Sequence, residues 1–167
     1  TLMTRGIRAV LMHFRGCSGE PNRLARGYHS GETGDLGTLI NVIRAREPDT
    51  PLAAVGYSLG GNVLLKYLGE CGAQAPLQAA AAVSVPLVLQ TASDRLSHGL
   101  SRIYDRYLLR ALLAGAKKKS ALLAAAGLDV TSALRCRTIR EFDERLTAPL
   151  HGFRDAVDYY TRCSSRS

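Results

Sequence analysis

Apolar and polar positions follow two rhythms along this chain. Arg8-Ala9-Val10-Leu11-Met12-His13-Phe14 is a short apolar run without a helical period, which predicts a strand, and Arg15 to Asn22 reads as a long turn after it. From near Thr33 to Arg46 the period lengthens: Leu36, Leu39, Ile40 and Ile43 fall on one helical face, and Pro48 and Pro51 end it. Leu52-Ala53-Ala54-Val55 predicts a buried strand, followed by a helix to about Gly69 with Val63, Leu64, Tyr67 and Leu68 on one face. Ala79 to Val85 is a third buried strand, closed by Pro86. Strands that alternate with helices predict an α/β protein whose parallel sheet has crossover helices, because a parallel return needs a connection long enough to hold one.

After Pro86 the rhythm is helical. Leu100, Ile103, Tyr104, Tyr107, Leu108, Ala111 and Leu112 recur at helical spacing with Arg102, Asp105, Arg106 and Arg110 between them, and Lys117 to Lys119 suit a helix C-terminus. Thr138-Ile139-Arg140-Glu141 has the form of a capping box, and Asp155 to Tyr160 lies in a last helix. The chain therefore divides into a sheet-bearing core over 1–86, a helical lid over 87–150 and a helix returning to the core over 151–167. A lid is built by inserting helices over the C-terminal edge of a sheet. A plain crossover helix with a long loop fits the same stretch less well.

The candidate chemistry sits between the second strand and its helix. Val55-Gly56-Tyr57-Ser58-Leu59-Gly60-Gly61-Asn62 contains G-x-S-x-G, the nucleophile elbow, in the strand–turn–helix setting that the motif requires. Ser58 is the expected nucleophile. A serine on so sharp a turn has strained backbone angles, and glycines at 56, 60 and 61 are expected to let neighbouring chain pass close. The N–H of Leu59, at the positive end of the helix dipole, is the expected backbone donor to a developing oxyanion.

Composition narrows the rest. With 167 residues, 46% hydrophobic and 22% charged, the chain suits one soluble domain. No run approaches the ~18 apolar residues of a membrane span, and the N-terminus lacks the apolar core of a signal peptide, so a cytoplasmic location is the expectation. Cys17, Cys71, Cys136 and Cys163 form no C-x-x-C pair, which points to reduced thiols; Cys17, in a glycine-rich turn, suits a tight loop better than a reactive role. Histidines and carboxylates form no ligand-spaced cluster, and no phosphate-binding glycine loop is present, so neither metal nor cofactor is expected.

Charge is uneven. Residues 1 to 94 carry eight Lys/Arg against seven Asp/Glu, whereas residues 95 to 167 carry fourteen against seven. A basic half could meet an anionic membrane surface, or could simply be solvated. Nucleic acid is not expected, since no recognition fold is visible and the aromatic residues do not alternate with the basic ones.

Three stretches, His13 to Arg23, His29-Ser30-Gly31-Glu32-Thr33 and Gly56 to Asn62, together resemble the YheT-like α/β-hydrolases, AB hydrolase family 4; Ile139 to Asp143 and Asp158-Tyr159-Tyr160 are similar to it too. The resemblance implies a serine esterase or lipase-like enzyme with a Ser, Asp, His triad acting on small-molecule or lipid esters. It also implies a partial fold, truncated at both ends, because the family's upstream His-Gly loop and its downstream acid strand and Gly-His pair have no counterpart here. After Ser58 the only histidines are His98 and His151, and both fall in or beside the helical insertion. His151-Gly152 imitates a catalytic His-Gly but follows no acid-bearing strand. His13 and His29 read as turn-shaping residues, Asp94 lies too far past the third strand for a triad acid, and Asp143 suits a solvated or capping role. The chain alone is thus expected to be nearly inert. The alternative is a non-catalytic module binding anionic partners through its basic helical face.

Overall fold

A computed structural model describes residues 2–166. Strand β1 (Ala53–Tyr57) pairs in parallel with β2 (Ala79–Val83), in a register that sets Ala53 against Ala79 and Tyr57 against Val83. Helix α1 (Gly34–Arg46) precedes β1, and α2 (Leu59–Cys71) makes the crossover between the strands. Both helices lie where the apolar spacing predicts them. Helix α2 buries Gly61, Asn62, Val63, Leu64 and Tyr67; four of these are consecutive, so its first turns are covered on all sides and not on one face alone.

The strand expected over Arg8 to Phe14 is not formed. A strand exists only through its ladder, and among the described residues these have no strand beside them; Val10 and Leu11 are exposed.

From Leu89 onward the chain is helical: α3 (Leu89–Leu96), α4 (Ser101–Lys118), α5 (Ser120–Ala125), α6 (Val130–Ala133), α7 (Ile139–Phe142), a π-helical turn over Asp143–Thr147, α8 (Ala148–Leu150) and α9 (Ala156–Cys163). Polar side chains start several of them. Thr138 Oγ1 accepts from the Glu141 N–H at 3.1 Å, as its capping-box sequence predicts, while the Glu141 carboxylate reaches back to the Arg137 N–H at 2.8 Å. Asp155 caps α9 by accepting from the Asp158 N–H at 2.7 Å. One core cluster joins Leu109, Ala116, Leu123, Ala133, Cys136, Phe142 and Leu146, and a second joins Leu89, Ala148, Ala156, Tyr159, Tyr160 and Cys163.

Candidate active site

Ser58 occupies the sharp turn between β1 and α2 with φ 48° and ψ −119°, in the positive-φ region that L-residues rarely adopt. Holding a non-glycine residue there costs of order 1–3 kcal/mol, so the surroundings must impose it. They do so from both sides. The Ser58 N–H donates to the Val83 carbonyl at 2.8 Å, extending the β1–β2 ladder by one bond, and the Ser58 carbonyl accepts from the N–H groups of Gly61 and Asn62 to start α2. This leaves the Leu59 N–H, first in the helix, without an acceptor among the described residues, as an oxyanion donor must be. The Ser58 side chain is exposed.

The glycines divide differently from the expectation. A Cβ on Gly56 would lie 2.5 Å from the Gly60 carbonyl oxygen and 2.7 Å from the Gly61 Cα, and one on Gly61 would lie 2.5 Å from Val85 Cγ2. A Cβ on Gly60 meets nothing within 4 Å. The close approach therefore requires glycine at 56 and 61, and at 60 it uses only the backbone, because α2 turns that Cα away from the strands.

Four residues after the serine, Asn62 is fully buried and ties three segments together. Its Nδ2 donates to the Ser30 carbonyl at 2.9 Å and the Cys163 carbonyl at 2.8 Å, and its Oδ1 accepts from the Ser165 N–H at 2.9 Å. Tyr159 reinforces the same joint: its hydroxyl donates to Ser30 Oγ at 2.7 Å and accepts from the Ser30 N–H at 2.9 Å. Asn62 lies on the side of α2 away from Val63, Leu64, Tyr67 and Leu68, so the helical period gave no signal for its burial.

His29 and His151, 122 positions apart by their numbers, stack with ring centroids 4.4 Å apart, and Phe153 and Tyr159 close over His29. Burial, then the cations Arg26, Arg15 and Lys66, push His29 down to about 4. Burial and then His29 itself push His151 down to about 4 against the opposing pull of Glu32. The Gly31 N–H donates to His29 Nδ1 at 3.2 Å, so the ring proton sits on Nε2. His29 is thus more than a turn-shaper. Neither imidazole hydrogen-bonds Ser58, and neither does any carboxylate among the described residues. His13 and His98 are exposed, and His98 Nδ1 faces the Asp94 carbonyl at 2.7 Å.

Asp143 departs from its expected solvated role. It is buried and accepts from the Tyr160 hydroxyl at 2.8 Å, and burial pushes its carboxyl up to about 6 although the Thr147 and Tyr160 hydroxyls favour the charged form. Asp94 is exposed and pairs with Arg140 at 3.5 Å. Cys17 is exposed, and the partial desolvation of its thiol raises it against the opposing hydrogen bond with Tyr28, the direction that makes a thiol less nucleophilic at neutral pH. A second strained serine, Ser84 at φ 54°, ends β2 next to the elbow; nothing in the sequence marked it. In parallel α/β sheets this carboxyl edge of the strands is where ligands bind.

A serine in strained geometry at a strand–helix turn, with a free helix N–H beside it, defines a class. Residues 2–147 match the family model described as the alpha/beta hydrolase fold, and the chain belongs to that family, with a YheT-like sequence. The putative esterase YheT of Escherichia coli (strain K12) is 46% identical over 162 residues, 96% of this chain and 48% of that protein. Phospholipase ABHD3 of Mus musculus is 35% identical over 159 residues, 95% of this chain and 39% of that protein, and monoacylglycerol lipase of Saccharomyces cerevisiae is 29% identical over 164 residues, 94% and 36% respectively. The chain spans about half the length, or less, of these curated relatives. No solved structure matches it. Among the described residues no helix is long and apolar enough to cross a membrane.

Proposed function

We propose that Ser58 is the nucleophile of a carboxylic ester hydrolase acting on small-molecule or lipid esters. The observation that carries this reading is the Ser58 backbone, strained at φ 48° between β1 and α2, with the Leu59 N–H free beside it. Ser58 Oγ attacks the ester carbonyl and the Leu59 N–H stabilises the oxyanion; the alkoxide leaves as alcohol, and water then releases the acid and restores the hydroxyl. The proton from Oγ needs an imidazole, and that imidazole needs a carboxylate. Since no such pair meets Ser58 in these residues, we assign both to polypeptide beyond them, and take the 167 residues alone as nearly inactive: loss of a triad member costs on the order of 10⁴-fold or more. Residues 1–86 then carry the elbow, 87–150 the lid and 151–167 the helix tied back to the core through Asn62. The names of the relatives, an esterase, a phospholipase and a lipase, support ester chemistry, and the basic second half supports an anionic lipid surface as partner.

In a chain extended on both sides to the length of these relatives, Ser58→Ala should abolish hydrolysis of short p-nitrophenyl esters and labelling by a fluorophosphonate, with the circular dichroism spectrum unchanged. Undiminished activity in that variant would remove the assignment. Labelling absent from the extended parent as well would favour a binding module instead.

A further inference from the structure

Helix α4 carries two exposed stripes that its packing does not explain. Leu100 at its N-cap, Ile103, Tyr104 and Tyr107 are 86%, 69%, 54% and 68% exposed, respectively. Spaced i, i+3, i+4 and i+7, they occupy an arc of about 100° on a helix. The rings of Tyr104 and Tyr107 stack at 6.5 Å, which makes the patch continuous. Asp105, Leu109 and Ala116, on the opposite side, face the core, so α4 is apolar on two faces and only one is covered.

Beside the apolar stripe runs a basic row. Arg102, Arg106 and Arg110 recur at i, i+4 and i+8, all exposed, and none takes part in a salt bridge among the described residues. They line an open cleft of about 390 Å³ together with Arg137, Ser97 and Thr138. Four arginines and two hydroxyl-bearing residues border the cleft and offer donors to the oxygens of a phosphodiester, and Arg is the residue suited to bidentate phosphate contact. Asp105, whose carboxyl burial raises, is the single carboxylate lining the cleft, and it accepts from the Ile139 N–H.

We propose that α4 docks the protein onto an anionic phospholipid surface, with Leu100, Ile103, Tyr104 and Tyr107 entering the headgroup–acyl boundary and the four-arginine cleft receiving a lipid phosphate. The inference rests on the ester-hydrolase reading for its purpose, delivery of lipid substrate, and not for the binding itself. A bilayer fits the patch because a helix lying in the interface needs one apolar face, a row of cations along its edge and amphipathic tyrosines at headgroup depth. The charge of the molecule agrees: net +7 over residues 95 to 167 against +1 over residues 1 to 94.

The chain contains no tryptophan, so Tyr107→Trp places a single reporter in the patch. With vesicles of phosphatidylglycerol and phosphatidylcholine in equal parts its emission should shift to the blue and be quenched by lipids brominated high on the acyl chain. Binding to phosphatidylcholine alone should be weaker by at least about tenfold, and the difference should shrink with salt. Ile103→Asp with Tyr107→Asp should abolish sedimentation with vesicles at unchanged helix content, and Arg102→Gln, Arg106→Gln and Arg110→Gln together should erase the preference for anionic lipid. Inorganic phosphate should not compete at concentrations that leave salt effects small. Ser58→Ala should bind as the parent does, which separates failure of this inference from failure of the catalytic one. A reporter that stays in water, vesicle binding indifferent to lipid charge, or binding that survives the double aspartate variant would overturn docking. So would emission already blue-shifted without lipid, which would mean that a second copy or another segment covers the face.

Discussion

The helical region and the sheet region satisfy the same physics by opposite routes. Between α4 and the π-helical turn, seven residues bury one another in a shared cluster, with side chains such as Leu123 only 2% exposed. In β1 only Gly56 is buried, and in β2 no residue is, leaving Val55, Tyr57 and Val83 open to solvent. A helix closes its own backbone hydrogen bonds and needs cover on one side. A parallel strand needs partners along its edges and layers over both faces. The elbow nevertheless forms, because it requires one strand pair and one helix N-terminus, and both are present. Its precision is local, whereas the burial of the strands that carry it is not.

Adding a methyl at Gly56 tests whether the elbow is as tightly built as this comparison implies. Gly56→Ala should cost about 3 kcal/mol or more in urea unfolding, since the contacts at 2.5 and 2.7 Å are with backbone that can give way only by opening the turn. A loss below about 1 kcal/mol would show that the turn yields.

Truncation measures the difference between the regions directly. Leu123→Ala should destabilise by about 2–4 kcal/mol, as a fully buried leucine does, while Val55→Ala on the open face of β1 should change stability by less than about 1 kcal/mol. Equal losses would mean that the sheet face is covered in solution.

Acid should loosen the joint between the regions. His29 and His151 have folded values of about 4 against an ordinary 6.5, so their neutral forms contribute stability that is complete above 6.5 and lost as pH falls toward 4. Asp143, raised from 3.8 to about 6, acts in the opposite sense, adding stability as pH falls through the same window. The two imidazoles outweigh the single carboxyl, and a net loss of stability is expected between pH 7 and pH 4. Urea midpoints across that range should fall, His151→Gln should flatten the fall, and Asp143→Asn should steepen it. A midpoint that rises on acidification would show that Asp143 dominates.

The smallest effect sharpens the first. Gly60→Ala should be neutral or stabilising by up to about 1 kcal/mol, because its Cβ points into open space and alanine is the better helix former. Damage comparable to Gly56→Ala would place a neighbour against that position.

By itself the sequence determined what depends on near neighbours. The turn at Ser58, the extents of α1 and α2, β2 closed before Pro86 and the cap at Thr138 are each set by a few consecutive residues, and each stands where period and capping chemistry put it, whereas Asp155, read as part of the last helix, caps it from outside. Arg8 to Phe14 has the composition of a strand, but pairing makes a strand, and composition cannot supply a partner. Tertiary structure alone decided that Gly61 rather than Gly60 must lack a side chain, that Asn62 joins Ser30 to Cys163, that His29 meets His151, and that Asp143 is buried against Tyr160. These depend on residues brought together from distant parts of the chain, where burial raises the cost of an unpaired polar group and so selects partners that no local pattern records.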